Sequence, residues 1–341
     1  MKRLFTLCLA FVLLAGCASG PAQTPAAPER TFFAMDTVMT LRLYGGGDEA
    51  LLDAAEERVK ELEALWSVTD ENSEIYALNR DGFTALSGDT AGLLANALEL
   101  CERTGGALDI TVYPVVRSWG FTTGEYAVPD SETIEELLTR VDYARVALDE
   151  AAGTAAIPDG VEVDLGSVAK GYTGDVLTGL LKAHGVESAM LDLGGNIQTV
   201  GTKPDGSLWR VGVRDPEGEE ILGVVEVVDG AVITSGGYER YFERDGVRYW
   251  HIIDPATGAP ARSGLISVTV VGDAGAVCDA LSTALFVMGR DGAVDFWRQY
   301  RDELGFELIL VDDDGSVTVT AGLEDGFTLV QTERILTVAR P

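Results

Sequence analysis

Residues 164–175 read DLGSVAKGYTGD. An apolar run closes on an acid, a turn of small residues with one lysine follows, and a helical stretch begins. A chain prepares a place for phosphate in this way, because small residues admit backbone and a helix N-terminus offers free N–H groups and a positive dipole. The spacing is neither GxxxxGK[ST] nor GxGxxG, so neither standard phosphate loop applies. Outward from this stretch the chain shows no strand–helix–strand beat. Toward the N-terminus, residues 32–44 alternate as one strand that ends at Gly45-Gly46-Gly47. Asp48 then caps a helix whose Leu51, Leu52, Ala55, Val59, Leu62 and Trp66 keep the 3.6 period. A second helix spans about 90–103 and stops at Gly105-Gly106, and LDITVYPVVRSWGF (108–121) reads as strand or loop.

Strands near 144–148 and 161–165 lead into the helix of the opening stretch, which ends at His184-Gly185. His184 reads as a cap that interacts with the helix dipole. Beyond it, KPDG (203–206), RDPEG (214–218), ERDG (243–246) and DDDG (312–315) predict hairpin turns between short strands. Two further helices are expected over 274–288 and 291–304. The fold class that follows is α+β, with largely antiparallel sheets flanked by helices in a single catalytic domain over 29–341.

The first twenty residues, MKRLFTLCLAFVLLAGCASG, carry a basic start, an apolar run from Leu4 to Ala15 and then LAGC. That is a secretory signal, too short and wrongly flanked for a spanning helix. LAGC resembles the bacterial lipobox, which makes 1–16 the signal, Cys17 the lipidated residue and 17–28 a Pro/Ala tether. A plain signal with a chance cysteine is the alternative. The expected address is exported, lipid-anchored on the extracytoplasmic side of a bacterial membrane. Cys101 and Cys278 sit in apolar helical patterns and read as buried free thiols, with no zinc spacing.

The net charge is −30 over 341 residues, which repels nucleic acid and makes DNA and RNA poor partners. A phosphate ligand entering this field needs local positive charge, and a divalent cation supplies it. CDALSTALFVMG (278–289) places Asp279 and Thr283 four apart on one helix face, a hard oxygen pair suited to Mg²⁺. The plainer reading is an aspartate near a helix start for dipole reasons, with Thr283 packing. HIIDPATGAP (251–260) offers His251 as a general base or as a side chain that holds its turn. LDLGGNI (191–197) and ITSGGYERYF (233–242) open strand ends into glycines beside Asn196, Ser235 and Tyr238.

Taken with FFAMDTVMTL (32–41), SEIYALN (73–79) and GGALDITVYPVVRSWGF (105–121), these blocks stand in an order that resembles the ApbE family of FAD:protein FMN transferases. The resemblance runs from about Phe32 to Gly289. It implies that the phosphates are the pyrophosphate of FAD, and that Mg²⁺ is bound by the carbonyl of Ala169 with Asp279 and Thr283. It implies transfer of FMN to a threonine or serine hydroxyl of an exported acceptor protein with an FMN-binding domain, with release of AMP. His251 becomes the candidate proton acceptor and Asp254 the residue that orders its loop. Lys170 becomes a phosphate contact, while Met35, Asp109, Ser235, Gly236 and Tyr238 become flavin contacts, with Asp175 toward the adenosine end. Many family members are exported lipoproteins, in line with the lipobox. The chain departs from the family at Asp36, where glycine is usual, and in the looser WSVTDENSEI (66–75). Two other readings remain: an Mg²⁺-dependent FAD pyrophosphatase using the same site, and a flavin-binding lipoprotein of an importer. The latter class usually shows two lobes with βαβ alternation, which this pattern lacks.

Overall fold

The computed structural model describes residues 27–341. The signal segment, Cys17 and all but the last two tether residues lie outside the described residues. The chain opens with the hairpin β1 (Glu29–Ala34) and β2 (Thr37–Gly45), then α1 (Glu49–Trp66) and α2 (Glu74–Asp81). A small sheet of β3 (Phe83–Ala85), β4 (Ala147–Asp149) and β5 (Thr154–Ala156) brackets α3 (Gly88–Arg103), α4 (Tyr113–Ser118) and α5 (Ser131–Leu138). Helix α6 (Ala169–Ala183) leads to β6 (Ser188–Leu193), β7 (Ile197–Val200), β8 (Trp209–Arg214), β9 (Ile221–Val227) and β10 (Ala231–Gly236). A two-stranded ribbon, β11 (Tyr241–Arg244) and β12 (Val247–Trp250), precedes β13 (Leu265–Gly272) and α7 (Gly275–Leu304). The chain closes with β14 (Phe306–Asp312), β15 (Val317–Thr320), β16 (Phe327–Leu329) and β17 (Leu336–Ala339).

Nine strands form the main sheet in the order β1-β2-β6-β7-β10-β13-β14-β15-β17, and β16-β9-β8 form a second sheet. Every pairing in the main sheet is antiparallel except β15 with β17. The expected α+β class with antiparallel sheets and flanking helices is therefore what the chain adopts.

Side-chain parity explains the layering. In β10, β13 and β14 the residues Ile233, Val268, Val270, Leu308 and Leu310 join a core with α7, whereas Val232, Val271, Ile309 and Val311 join one with β8 and β9. Both faces are covered, so these strands are continuous apolar runs. In β2 only one parity is buried: Met39, Leu41 and Leu43 meet Leu52 and Val59 of α1 and Leu177 and Leu181 of α6. Cys101 and Cys278 are free and buried, and burial pushes the Cys101 thiol up to about 12.

Local expectations fail where backbone partners come from outside regular pairing. The stretch 32–44 is a hairpin and not one strand, because Met35 and Asp36 turn in left-handed conformation (φ 49° and 59°). Such a two-residue turn suits hairpin twist and recruits glycine, asparagine or aspartate, so Asp36 fits it and Met35 at its first position concealed it. Residues 161–165 form no strand. The Val163 amide donates to Asn79 Oδ1 (2.7 Å), its carbonyl accepts from Asn79 Nδ2 (2.8 Å), and the Asp164 amide reaches the Ile110 carbonyl (2.9 Å). The 108–121 stretch contains α4, started by Pro114 in its first turn. Three of the four predicted turns join paired strands, while KPDG links β7 to β8, which lie in different sheets. The expected helices over 274–288 and 291–304 are both present as the two halves of α7, which meet at Gly289 (φ 76°, ψ 172°), where a Cβ would sit 2.9 Å from the Ser263 carbonyl oxygen.

Candidate active site

A cleft of about 390 Å³ opens where the β1–β2 turn, the start of α6, the end of β10 and the first turns of α7 converge. Its wall includes Met35, Asp36 and Thr37 from the turn, Lys170 from α6, Ser235 and Gly236 from β10, and Asp279 and Thr283 from α7. His251 lies on the same wall, as do Asp109, Asn196 and Asp164. Met35 and Thr283, 248 residues apart in sequence, thus meet on one wall.

The helix spacing of Asp279 and Thr283 does place them together. Asp279 is buried, and its Oδ2 accepts the Gly171 amide at 2.8 Å. Burial pushes the Asp279 carboxyl up, against the opposing pull of Lys170 and the Gly171 amide. Thr283 Oγ1 lies 3.3 Å from Ser235 Oγ, which is itself 2.7 Å from Ser282 Oγ. Ala169, the first residue of α6, is not on the cleft wall, and its carbonyl accepts the Thr173 hydroxyl at 2.7 Å. The carboxylate of Asp279 and the hydroxyl of Thr283 on this wall suit a hard cation that keeps open positions for phosphate, and the buried, unpartnered Nδ2 of Asn196 on the same wall is a donor that suits a phosphate oxygen. No group of three or more His, Cys, Asp or Glu side chains able to hold a metal occurs among the described residues.

His251 follows directly after β12, and its backbone amide donates to the Arg240 carbonyl at 3.0 Å. Its Nδ1 faces the same carbonyl at 3.2 Å, so Nδ1 carries the proton and Nε2 the lone pair. Desolvation, reinforced by the Arg240 and Lys170 charges, pushes its pKa down to about 4. The ring is therefore neutral well below pH 7. Asp254 does not touch it. Its Oδ1 accepts the Ala256 amide (2.9 Å) and its Oδ2 the Thr257 hydroxyl (3.1 Å), which fixes the DPATG turn.

Other expected contacts divide. Met35 lines the cleft, its amide bound by Glu63 Oε1 at 2.6 Å. Asp109 lines it too, but its oxygens accept from the Thr111 amide and hydroxyl (2.8 and 2.6 Å) and the Tyr143 amide (3.1 Å). Tyr238 points the other way. Its ring lies under Arg214 (5.4 Å to the guanidinium carbon) and lines a separate cavity with Trp250 and Phe286. Tyr238 lies in the turn over 237–239, just past the end of β10, and the direction of that turn is not legible from spacing. Asp175 is also away from the cleft wall. Its oxygens accept the Gly275 and Ala276 amides at 2.7 and 2.8 Å, a structural use in place of a nucleotide contact.

Two acids in the cleft were not singled out from the sequence. Asp164 and Glu239 both have carboxyls pushed up by burial and drawn down by Lys170. Asp164 is the first letter of the DLGSVAKG stretch, and read there only as the end of a strand. Arg240 was also passed over. Its guanidinium holds the Phe121 carbonyl and its own carbonyl orients His251.

Comparison with known proteins shows the family and the fold. The model of the ApbE family matches residues 35–306. The chain is 34% identical to an FAD:protein FMN transferase of Treponema pallidum, with 90% of each chain covered. It is also 34% identical to one of Vibrio cholerae, with 92% of this chain and 96% of that one covered. Among solved structures, an ApbE protein of Thermotoga maritima superposes with a TM-score of 0.81 at 33% identity, covering 88% of this chain and 99% of the other. The flavin transferase ApbE of Vibrio cholerae gives 0.77 at 28% identity, over 88% and 99%.

Proposed function

The chain belongs to the ApbE family, and from that premise we propose that it transfers FMN from FAD to a threonine or serine hydroxyl of an exported acceptor protein. The bond formed joins the hydroxyl oxygen to the FMN-side phosphorus. The bond broken is from that phosphorus to the bridging oxygen, which leaves with AMP. The observation that carries this reading is the pairing, in one cleft, of a neutral His251 with Asp279 and Thr283. His251 Nε2 is free to take the hydroxyl proton, since Nδ1 is committed to Arg240. Lys170 brings positive charge to a cleft otherwise rich in carboxylates, and so draws in the diphosphate. Asp279, Thr283 and the Ala169 carbonyl would hold Mg²⁺, which when bound neutralises charge on the phosphoryl oxygens and the leaving group. Ser235 Oγ, within reach of Thr283, fixes that hydroxyl's direction.

The address belongs to the same proposal. LAGC after an apolar run supports cleavage before Cys17 and attachment of lipid there, and two acyl chains give firm anchoring where one does not. The cleft would then work on partners outside the cytoplasm.

The test is AMP release with and without an acceptor. Enzyme with FAD and Mg²⁺ alone should turn over slowly, and a flavin-binding domain of an exported redox subunit should accelerate AMP release. Brisk release of FMN and AMP without acceptor, unaltered by every such domain tried, would establish the pyrophosphatase instead.

A further inference from the structure

The two helices that furnish the cleft hold each other by their N-termini. GYTGD (171–175) on α6 and GAVCD (275–279) on α7 share one pattern, a glycine followed four residues later by aspartate. Neither helix has a side-chain cap of its own, since Val168 and Ala274 stand at the capping positions. Each aspartate instead satisfies orphan amides of the other helix. Asp279 Oδ2 accepts from the Gly171 amide at 2.8 Å, while Asp175 Oδ1 and Oδ2 accept from Gly275 and Ala276 at 2.7 and 2.8 Å. The glycines allow the approach: a Cβ on Gly171 would sit 2.2 Å from the Gly275 carbonyl oxygen, and one on Gly275 would sit 2.5 Å from that of Gly171. Gln198 Nε2 ties the Gly171 carbonyl at 2.8 Å.

The two halves of this clasp differ in one respect. Asp175 spends both oxygens on amides and stays off the cleft wall, whereas Asp279 spends one and faces the cleft. We propose that Asp175 is a positioning residue for the cation site. By fixing the first turn of α7 against α6, it sets the direction of the second Asp279 oxygen and of Thr283 one turn further on. The proposal rests on the reading that Asp279 and Thr283 hold Mg²⁺. Asp175 touches neither substrate nor cation, so its loss should weaken cation binding and leave the chemical step.

Asp175→Asn tests this, because the amide retains one acceptor and removes the charge. The half-saturating Mg²⁺ concentration for FAD turnover should rise about tenfold or more, the usual effect of losing an outer-shell partner. Turnover at saturating Mg²⁺ should stay within about twofold of wild type. Mn²⁺ binding to the protein without FAD, followed by electron paramagnetic resonance, should weaken by a similar factor. Should Asp175→Asn not fold, Asp175→Ser, whose hydroxyl still accepts from one amide, carries the same measurements. A folded variant with wild-type Mg²⁺ dependence and Mn²⁺ affinity would overturn the proposal. So would lost turnover at saturating Mg²⁺ with unchanged Mn²⁺ affinity, which marks general damage. Failure of the cation reading is separately visible: wild-type turnover without any divalent cation, and a fully active Asp279→Ala, refute it along with this proposal.

Discussion

His251 and the carboxylates around it decide what the cleft does. With its pKa held at about 4, the imidazole accepts a proton at every pH above that value. Transfer, measured as kcat/KM for acceptor, should therefore hold from pH 7 down past the ordinary histidine range of roughly 6.5, and fall only as pH approaches about 4. A fall centred near the ordinary value would contradict this environment. Linkage has a matching sign: the folded pKa lies below the unfolded one, so His251 lowers stability as pH falls from roughly 6.5 toward 4. His251→Ala should cut transfer by about 10²–10⁴-fold and background hydrolysis less, since water needs no such placement. Equal losses would mark a side chain that only holds its turn. Asp279→Ala should abolish metal-dependent turnover, Thr283→Val should weaken it less, and the double variant should cost little more than Asp279→Ala, because both act on one ion. The pair was legible in sequence because i and i+4 on a helix share a face. Asp164 was not, since its burial arises only on folding, where its amide reaches the Ile110 carbonyl and Lys170 and Arg240 come near its carboxyl. Its raised carboxyl pKa means that ionisation costs stability at neutral pH. Asp164→Asn should raise Tm at pH 7, by less at lower pH.

The hairpin turn at Met35-Asp36 is an element whose shape runs against the residue type at its first position. Both residues sit at positive φ, where an L side chain costs about 1–2 kcal/mol, while glycine would lose about 0.5–1 kcal/mol in chain entropy. Asp36→Gly should therefore raise stability by about 0.5–1 kcal/mol, read by urea unfolding. No gain would mean that Asp36 is held by something other than the turn. Helix α7 was legible down to its break, because Gly289 interrupts a clean 3.6 period and the carbonyl of Ser263 needs the space. The 161–165 segment was not. Its composition suits a strand, yet its hydrogen bonds go to the Asn79 side chain, the Pro158 and Ile110 carbonyls and the Val168 and Ala169 amides, which no local pattern announces. The place of Tyr238 was not legible for a related reason, because it follows the end of β10 in a turn that carries its ring under Arg214.

At the scale of the whole molecule, fold class came through because parity and period are summed over many residues. The order of strands did not, since pairing such as β2 with β6 or β7 with β10 closes over long connections. The −30 charge repels nucleic-acid phosphate, and under the proposed function it calls for Lys170 and a cation in the cleft. No helix among the described residues is long and apolar enough to cross a membrane. The proposed lipidation is tested at the N-terminal segment: Cys17→Ser should move the protein from the membrane to the soluble fraction, and unchanged fractionation would refute it. The central claim is group transfer to protein. Its most direct measurement is the intact mass of a purified flavin-acceptor domain after incubation with this protein, FAD and Mg²⁺. The acceptor should gain the mass of FMN less one water, on a threonine or serine, and should gain nothing with Asp279→Ala. An acceptor of unchanged mass, beside FAD fully converted to free FMN and AMP, would contradict it.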